Sequence, residues 1–385
     1  MRILFFLNVL GGGGAEMHFV RLAGELARVG MEPVFVTLRG GGAYEKLLDE
    51  GIEHHVLDPS RSGSTVRNLI ASIGPLARLI DQIKPDVVCP VLTLTTLPAI
   101  LAASRATHRA KVVLSIQNAL SVEVYEQRTP LALVQRWLIA RLWPRVDGII
   151  ALSQGVAADI RRYVPHVADR VTVVHNCGKP MDRERARALA ALPERPRDRH
   201  VLVAVGRLTR QKDYPTMFAA LQRVKTQPPP LLRVLGTGDE EAALRALVKD
   251  QGLEDQVEFL GFRDDALSHM RVADAFVLSS RWEGFANVIV EAMAMGTAVV
   301  ATDCPHGPAE IITDEVNGRL VPVQDADALA SAIDAVLGDD AERARLAAAG
   351  NRRADDFGVE AIAAQYAQAF RAFAGRDASG QGIVQ

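Results

Sequence analysis

Two carboxylates set the chemistry this chain could do. In the stretch 275–302, AFVLSSRWEGFANVIVEAMAMGTAVVAT, Glu283 and Glu291 stand eight residues apart. A carboxylate can take two neighbouring hydroxyls, or offset positive charge that develops on carbon. Glu291 is the only charged residue between Val288 and Ala301, amid Val288, Ile289, Val290, Ala292, Met293, Ala294 and Met295. In so apolar a setting it needs hydrogen-bond partners or costs several kcal/mol. Earlier lies Gly206-Arg207-Leu208-Thr209-Arg210-Gln211-Lys212-Asp213. Three cations ahead of a helix expected near Pro215 oppose its dipole unless an anion sits between them. A phosphate-binding loop accounts for that placement, and a solvated basic loop is the bland alternative. Gly11-Gly12-Gly13-Gly14-Ala15-Glu16 also bears on phosphate, because glycine lets backbone N–H groups approach an anion. It is not the dinucleotide fingerprint, since Glu16 replaces the final glycine. A flexible turn explains it equally well.

These residues need elements to position them. The 275–302 stretch reads as a strand over 275–280, a polar bend holding Glu283 and Gly284, a helix from about Asn287 closed by Gly296, and a strand over 298–301. In a doubly wound sheet, ligands bind outside the carboxyl ends of the strands. That puts Glu283 at the mouth of a crevice and Glu291 one turn into a helix whose free N–H groups favour anions. The spacing predicts further strands over 2–8, 33–38, 54–57, 86–91, 111–116, 147–152 and 170–175, then 201–205, 231–235 and 257–260. Helical patterns fill most gaps, among them 15–29, 66–83 and 153–163. Between Cys177 and Arg199 the chain turns charged and proline-bearing, which reads as a linker. Gly236-Thr237-Gly238-Asp239 follows one strand, with Asp239 a candidate helix cap, and Gly261-Phe262-Arg263 follows the next. The polar tail 377–385 is expected to be disordered.

At 385 residues, 49% hydrophobic and 23% charged, the chain is long enough for two or three globular domains. A formal net charge of −2 gives no indication of nucleic acid, although residues 1–178 hold 19 Lys and Arg against 15 Asp and Glu, and the remainder 25 against 31. Three widely spaced cysteines, Cys89, Cys177 and Cys304, suggest neither a disulfide framework nor a zinc site and fit a reducing cytosol. Residues 3–10 are apolar but run into four glycines rather than a cleavage site, so they read as a strand. No run reaches the ~18 apolar residues of a membrane span.

The pattern S-x-x-E-G-F followed by E-A-M-A-x-G, with G-R-L-x-x-x-K upstream, resembles the GT4-type retaining glycosyltransferases of GT-B fold. The run from Asp303 to Ile312, DCPHGPAEII, resembles members acting on bacterial polysaccharides and lipid-linked glycans. The resemblance is strong over 200–330 and weaker over 1–178. It implies an α/β chain of two Rossmann-like parallel-sheet domains facing a cleft: an acceptor-side domain over 1–178, a nucleotide-sugar domain over 199–357, and a helix over 358–376 crossing back to the first. It implies transfer of a sugar from a nucleoside-diphosphate donor, a UDP-sugar, to a hydroxyl of a glycan or lipid-linked acceptor, with retention and without a metal. No obvious carboxylate pair for a divalent ion stands in the sequence.

Carried over by position, Arg207 and Lys212 are the diphosphate pair and, with Glu283, the catalytic set. Gly13, Gly14 and Gly236 would approach the donor, Phe262 or Arg263 would line the base pocket, and Gly284, Phe285, Ala286, Asn287 and Val288 would surround it with Glu291. Many relatives carry a histidine after the strand at 111–116; here Gln117 and Asn118 are the acceptor-side candidates. Neither titrates near neutral pH. Of the histidines near strand ends (His18, His175, His306), His306 is the one in a candidate ligand loop. Residues 128–145, RTPLALVQRWLIARLWPR, fit either an interfacial helix making peripheral membrane contact or an ordinary helix with arginines at its rim. The corresponding localisation is cytoplasmic, at the inner face of the membrane. Two other classes compete: a nucleotide-sugar-binding pseudoenzyme, and a sugar epimerase or phosphorylase of the same fold.

Overall fold

The computed structural model describes residues 1–11, 13–58 and 65–375; Gly12 and the 377–385 tail lie outside them. The chain divides into two units, one of residues 1–177 with the segment from Val359 onward, the other Gly178–Gly358.

The first unit is built on seven parallel strands: β1 (Arg2–Leu7), β2 (Glu32–Thr37), β3 (Glu53–Val56), β4 (Val87–Pro90), β5 (Lys111–Ile116), β6 (Gly148–Ala151) and β7 (Val171–Val173), in the order β3-β2-β1-β4-β5-β6-β7. β1, β4 and β6 are buried along nearly their whole length, as a sheet covered on both faces requires. β1 pairs β2 through Leu4 against Val34 and β4 through Leu4 against Val88. Leu4, Phe6, Val36 and Val88 then form one core with Leu76, Ile80 and Ala99. The last helix, Val359–Ala374, belongs to this unit. Its Tyr366 and Phe370 meet Phe19 and Phe5 at ring separations of 6.0 and 6.1 Å. Gly148 has no side chain because one would collide with the ring of Phe373.

The second unit repeats the plan with β8 (Val201–Val205), β9 (Leu231–Leu235), β10 (Val257–Gly261), β11 (Ala275–Leu278), β12 (Ala298–Thr302) and β13 (Arg319–Val321), ordered β10-β9-β8-β11-β12-β13 and wholly parallel. Its core joins Leu202, Val234, Val277 and Val300 with Phe218, Leu329 and Ile333. Both sheets reverse direction of winding once, between β1 and β4 and between β8 and β11. Those are the switch points where the loops of neighbouring strands part and leave room for a ligand.

Two expectations are corrected. The segment read as a linker contains a helix, Asp182–Ala190. Glu184 accepts the Met181 N–H at 2.7 Å, and the Ser268 hydroxyl donates to the Ala188 carbonyl, so the segment is fastened to the second unit. Its polar composition hid a helix that buries little but Ala188. The short strand β13 was not expected: three residues are too few to show a period.

Candidate functional site

The loops after β8 and β11 meet at the switch point of the second unit. After β8, Arg207 is exposed and makes no ion pair among the described residues, and Arg210–Lys212 form a single 3-10 turn. Asp213 follows at φ +48°, capping the start of the helix Tyr214–Leu221. Its carboxylate receives Arg281 at 2.8 Å and the Thr216 hydroxyl at 2.8 Å, which offsets the basic turn ahead of that helix. β11 ends at Leu278, two residues before the expected boundary, and the two serines beyond it bind rather than pair. Ser279 donates to the carbonyls of Lys212 and Asp213, and Ser280 donates to Glu283 Oε1 at 2.6 Å. Thr302 at the end of β12 holds the Ser280 carbonyl at 2.6 Å.

Glu283 is 7% exposed, and Lys212 Nζ lies 2.6 Å from its Oε1. Gln211 approaches the other oxygen at 3.5 Å. Lys212 therefore does not stand as an isolated cation; its charge is met across the switch point by the acid expected to lie open beside a sugar. Burial and the Glu283 charge push the Tyr214 hydroxyl well above its usual range, and the same two causes push the Cys304 thiol up to about 12. The buried thiol and phenol stay protonated, leaving Lys212 and Glu283 as the charged pair.

Glu291 has the opposite environment from the one its neighbours imply. The helix Asn287–Ala294 buries Ile289, Val290, Ala292, Met293 and Ala294, but Asn287, Val288 and Glu291 are half-buried along one side. The carboxylate lies on the one stripe the helix leaves accessible. Ala286, at φ +70°, turns the chain into this helix. Gly284 and Phe285 are buried, and the Phe285 ring packs on Phe357 at 5.2 Å, so only backbone can face a ligand there. His306 (φ +67°) and Gly307 (φ +97°) lock the next loop against Phe285, whose backbone leaves no room for a Cβ at Gly307.

The loop after β9 lies directly on the loop after β8. Gly236, at φ +135°, would drive a side chain into the Gly206 carbonyl, and Gly238 into the Leu208 backbone. The Leu208 N–H donates to Thr237 O at 3.0 Å and the Glu240 N–H to Leu208 O at 3.0 Å. Asp239 is not the cap of the next helix: that helix, Glu241–Asp250, has Glu240 at its N-cap and no capping side chain. After β10, Phe262 is 60% exposed, while Arg263 is taken by Asp265 at 2.7 and 2.8 Å.

In the first unit, Gly13 is the N-cap of the helix Gly14–Arg28, and the Glu16 carboxylate folds back over it. The acid, not an incoming anion, occupies that helix start. Gln117 is a further correction: it is 3% exposed, donates to Ser115 Oγ at 3.0 Å and accepts from Asn176 at 3.0 Å. With both ends of its amide engaged it is an internal bridge and cannot serve an acceptor. Asn118 is half-buried and donates to Glu123 at 2.6 Å. Ser280, Gln211 and Glu123 were missed. Only the position of Ser280, three residues before Glu283, carried a signal.

Residues 12–177 match a family described as Glycosyltransferase Family 4, and residues 188–353 one described as Glycosyl transferases group 1. The chain belongs to the GT4-type glycosyltransferases. Among curated relatives of this family, it is 36% identical over 174 residues to the lipopolysaccharide core biosynthesis glycosyltransferase LpsE of Rhizobium meliloti, covering 45% of this chain and 50% of LpsE. It is 30% identical over 240 residues to the N-acetylgalactosamine-N,N'-diacetylbacillosaminyl-diphospho-undecaprenol 4-alpha-N-acetylgalactosaminyltransferase of Campylobacter jejuni, covering 62% and 64%. The matched stretches thus span half to just under two thirds of these relatives. The GT-B fold is shared with Anabaena HepE solved with UDP and glucose, at a TM-score of 0.77 and 23% identity over 96% of this chain and 98% of that one. Sucrose-phosphate synthase from Thermosynechococcus elongatus has the same fold, with a TM-score of 0.80, 23% identity and coverage of 96% and 98%.

Proposed function

We propose that this GT4-type protein transfers a glycosyl group from a UDP-sugar to a hydroxyl of a glycan or lipid-linked acceptor, with retention at the anomeric carbon. The observation that carries the reading is Arg207, exposed and without an ion pair among the described residues, in the same loop after β8 as Lys212 of the buried Lys212–Glu283 pair. A leaving diphosphate gains charge in the transition state, and fixed cations in a partly dry site stabilise it more there than in the ground state. Arg207 supplies one cation and Lys212 the other. As phosphate draws on Lys212, one oxygen of Glu283 turns to the donor sugar while Ser280 keeps the carboxylate in place. Glu291, on the open stripe of its helix, takes the two ribose hydroxyls. The Gly236 backbone and Phe262 line the approach. The charge is carried by side chains, so the reaction as proposed uses no metal, and EDTA leaves the rate unchanged. The LpsE and Campylobacter likenesses support a glycan or lipid-linked acceptor, and HepE with UDP supports the base. The exposed helix at 130–142 supports peripheral contact with the cytoplasmic face of a membrane.

The test is UDP release coupled to product formation. Arg207→Ala should lose about 2–4 kcal/mol in kcat/KM. Glu291→Gln should weaken UDP binding in calorimetry, whereas Glu283→Gln should lower kcat more than it weakens UDP binding. Wild-type kcat/KM in Arg207→Ala removes the phosphate assignment, and nucleotide binding without UDP release would leave a binding protein.

A further inference from the structure

Beyond β5, the chain passes Asn118 and enters a π-helical turn, Ser121–Tyr125. Such turns are rare and cost regular hydrogen bonding, so one that persists is held by its surroundings. Here it is held at both ends. The Ser121 N–H donates to Asp159 Oδ2 at 2.8 Å, from the helix Gln154–Tyr163. At the other end the Arg136 guanidinium, from the helix Pro130–Leu142, donates to the carbonyls of Val124, Tyr125 and Gln127.

The side chain this turn fixes is Glu123. Its Oε1 takes the Asn118 amide nitrogen at 2.6 Å. An ionised carboxylate only accepts, so it selects the NH2 end of the amide and turns Asn118 Oδ1 away. That oxygen makes no hydrogen bond among the described residues. Burial raises the Glu123 carboxyl above the usual range, and Thr93 and Asn118 pull it back. The Thr93 hydroxyl comes near the carboxyl without the geometry of a full hydrogen bond. Thr93 opens the helix Thr93–Arg105 directly beyond β4, after Leu92 at φ +73°. A leucine in that conformation is strained, and backbone strain gathers where a site over-determines its geometry. Thr93, Asn118 and Glu123 thus stand together at the carboxyl ends of β4 and β5, beside the switch point of the first sheet, where a doubly wound sheet takes its ligands.

We propose that Asn118, oriented by Glu123, presents its amide oxygen, unpartnered among the described residues, to a hydroxyl of the acceptor, with Glu123 the positioning residue. This rests on the glycosyl-transfer reading above. The acceptor O–H donates to Asn118 Oδ1, and the Glu123 hydrogen bond on the far side of the amide keeps that oxygen outward. Glu123→Gln keeps the shape but offers both a donor and an acceptor, so the amide loses its imposed orientation.

The experiment uses the full chain, a UDP-sugar and a panel of alkyl glycosides, with kinetics on the best acceptor. Asn118→Ala and Glu123→Gln should each raise the acceptor KM about tenfold, the scale of one lost hydrogen bond, with donor KM and UDP affinity unchanged. The double variant should be no worse than Asn118→Ala, because Glu123 acts through Asn118. Should Glu123→Gln fold poorly, Asn118→Asp sets two carboxylates against each other and should raise the same KM. An unchanged acceptor KM in an active Asn118→Ala enzyme overturns the pair alone. Additive losses return Glu123 to a role in folding. No transfer by wild type to any acceptor overturns the transferase reading and the pair with it.

Discussion

His18 shows how one buried side chain ties protonation to folding. Its Nδ1 accepts the Cys177 N–H at 3.0 Å, which leaves the ring proton on Nε2, 3.3 Å from the Tyr366 hydroxyl. Burial, and secondarily the charge of Arg21, lower its pKa from 6.5 to about 3. The folded chain keeps the ring neutral, while the unfolded chain takes up a proton below 6.5. Stability therefore rises with pH between about 3 and 6.5, and each unit below 6.5 removes about 1.4 kcal/mol. Between pH 7 and pH 5 the first unit should lose about 2 kcal/mol through this residue. Urea unfolding followed by the fluorescence of buried Trp143 checks it. The His18→Gln variant should be less stable at pH 7 yet show a flatter pH slope, and an equal slope would sink the assignment. The Lys212–Glu283 pair is the second case at this scale. Removing one partner strands the other in a buried site, so Lys212→Ala should cost folding stability as well as transfer. Arg207→Ala should cost transfer alone.

Among the elements, the helix Pro130–Leu142 is the one whose outer face contradicts water. Leu131, Leu133, Val134 and Trp137 are exposed, Trp137 by 65%, while Ala132, Ile139 and Leu142 hold the inner side. Leu133, Val134 and Trp137 follow helical spacing and form a continuous apolar strip. Arg141 and Arg145 are exposed at its end, but Arg136 is turned inward to the π-helical turn. No helix among the described residues is long and apolar enough to cross a membrane. An apolar strip with flanking arginines fits an interface with anionic lipid. Wild type should sediment with vesicles containing anionic lipid at low salt, and Trp137→Ser with Leu133→Ser should not. Equal recovery in the supernatant for both would remove the membrane contact.

On the scale of the molecule, each unit carries its own optical reporter. Trp282 adjoins Glu283 in the second unit, and its carbonyl accepts from Gln211 at 3.0 Å. Trp137 and Trp143 report on the first unit. A nucleotide that binds the second unit stabilises it by mass action, about 2.7 kcal/mol at a hundredfold excess over Kd. Thermal unfolding with UDP, GDP and ADP should show UDP raising the Tm, and Glu291→Gln should abolish that rise. A rise with GDP or ADP alone would reassign the base.

The two parallel sheets were legible because their strands are continuous apolar runs between glycine and polar turns, as in Val201–Val205 and Ala298–Thr302. Lys111–Ile116, Val201–Val205 and Leu231–Leu235 fall at the expected bounds. The candidate residues were legible as positions too, since Arg207, Lys212 and Glu283 stand in the loops after β8 and β11 and Glu291 in the helix that follows. Their partners were not. Sequence spacing says which loop a side chain occupies, but only the strand order brings the loops after β8 and β11 together and sets Lys212 on Glu283. Sequence gave Glu291 an apolar neighbourhood, yet helical geometry turns it to the open stripe with Asn287 and Val288. Gln117 and Asn118 are adjacent and chemically alike, and tertiary contacts separate them. Asn176 and Ser115 consume the first, while a π-helical turn pinned by Asp159 and Arg136 leaves the second with an oxygen that has no partner among the described residues. Composition and period report burial along one element; hydrogen-bond partners come from elements distant in the chain, and those only the folded structure supplies.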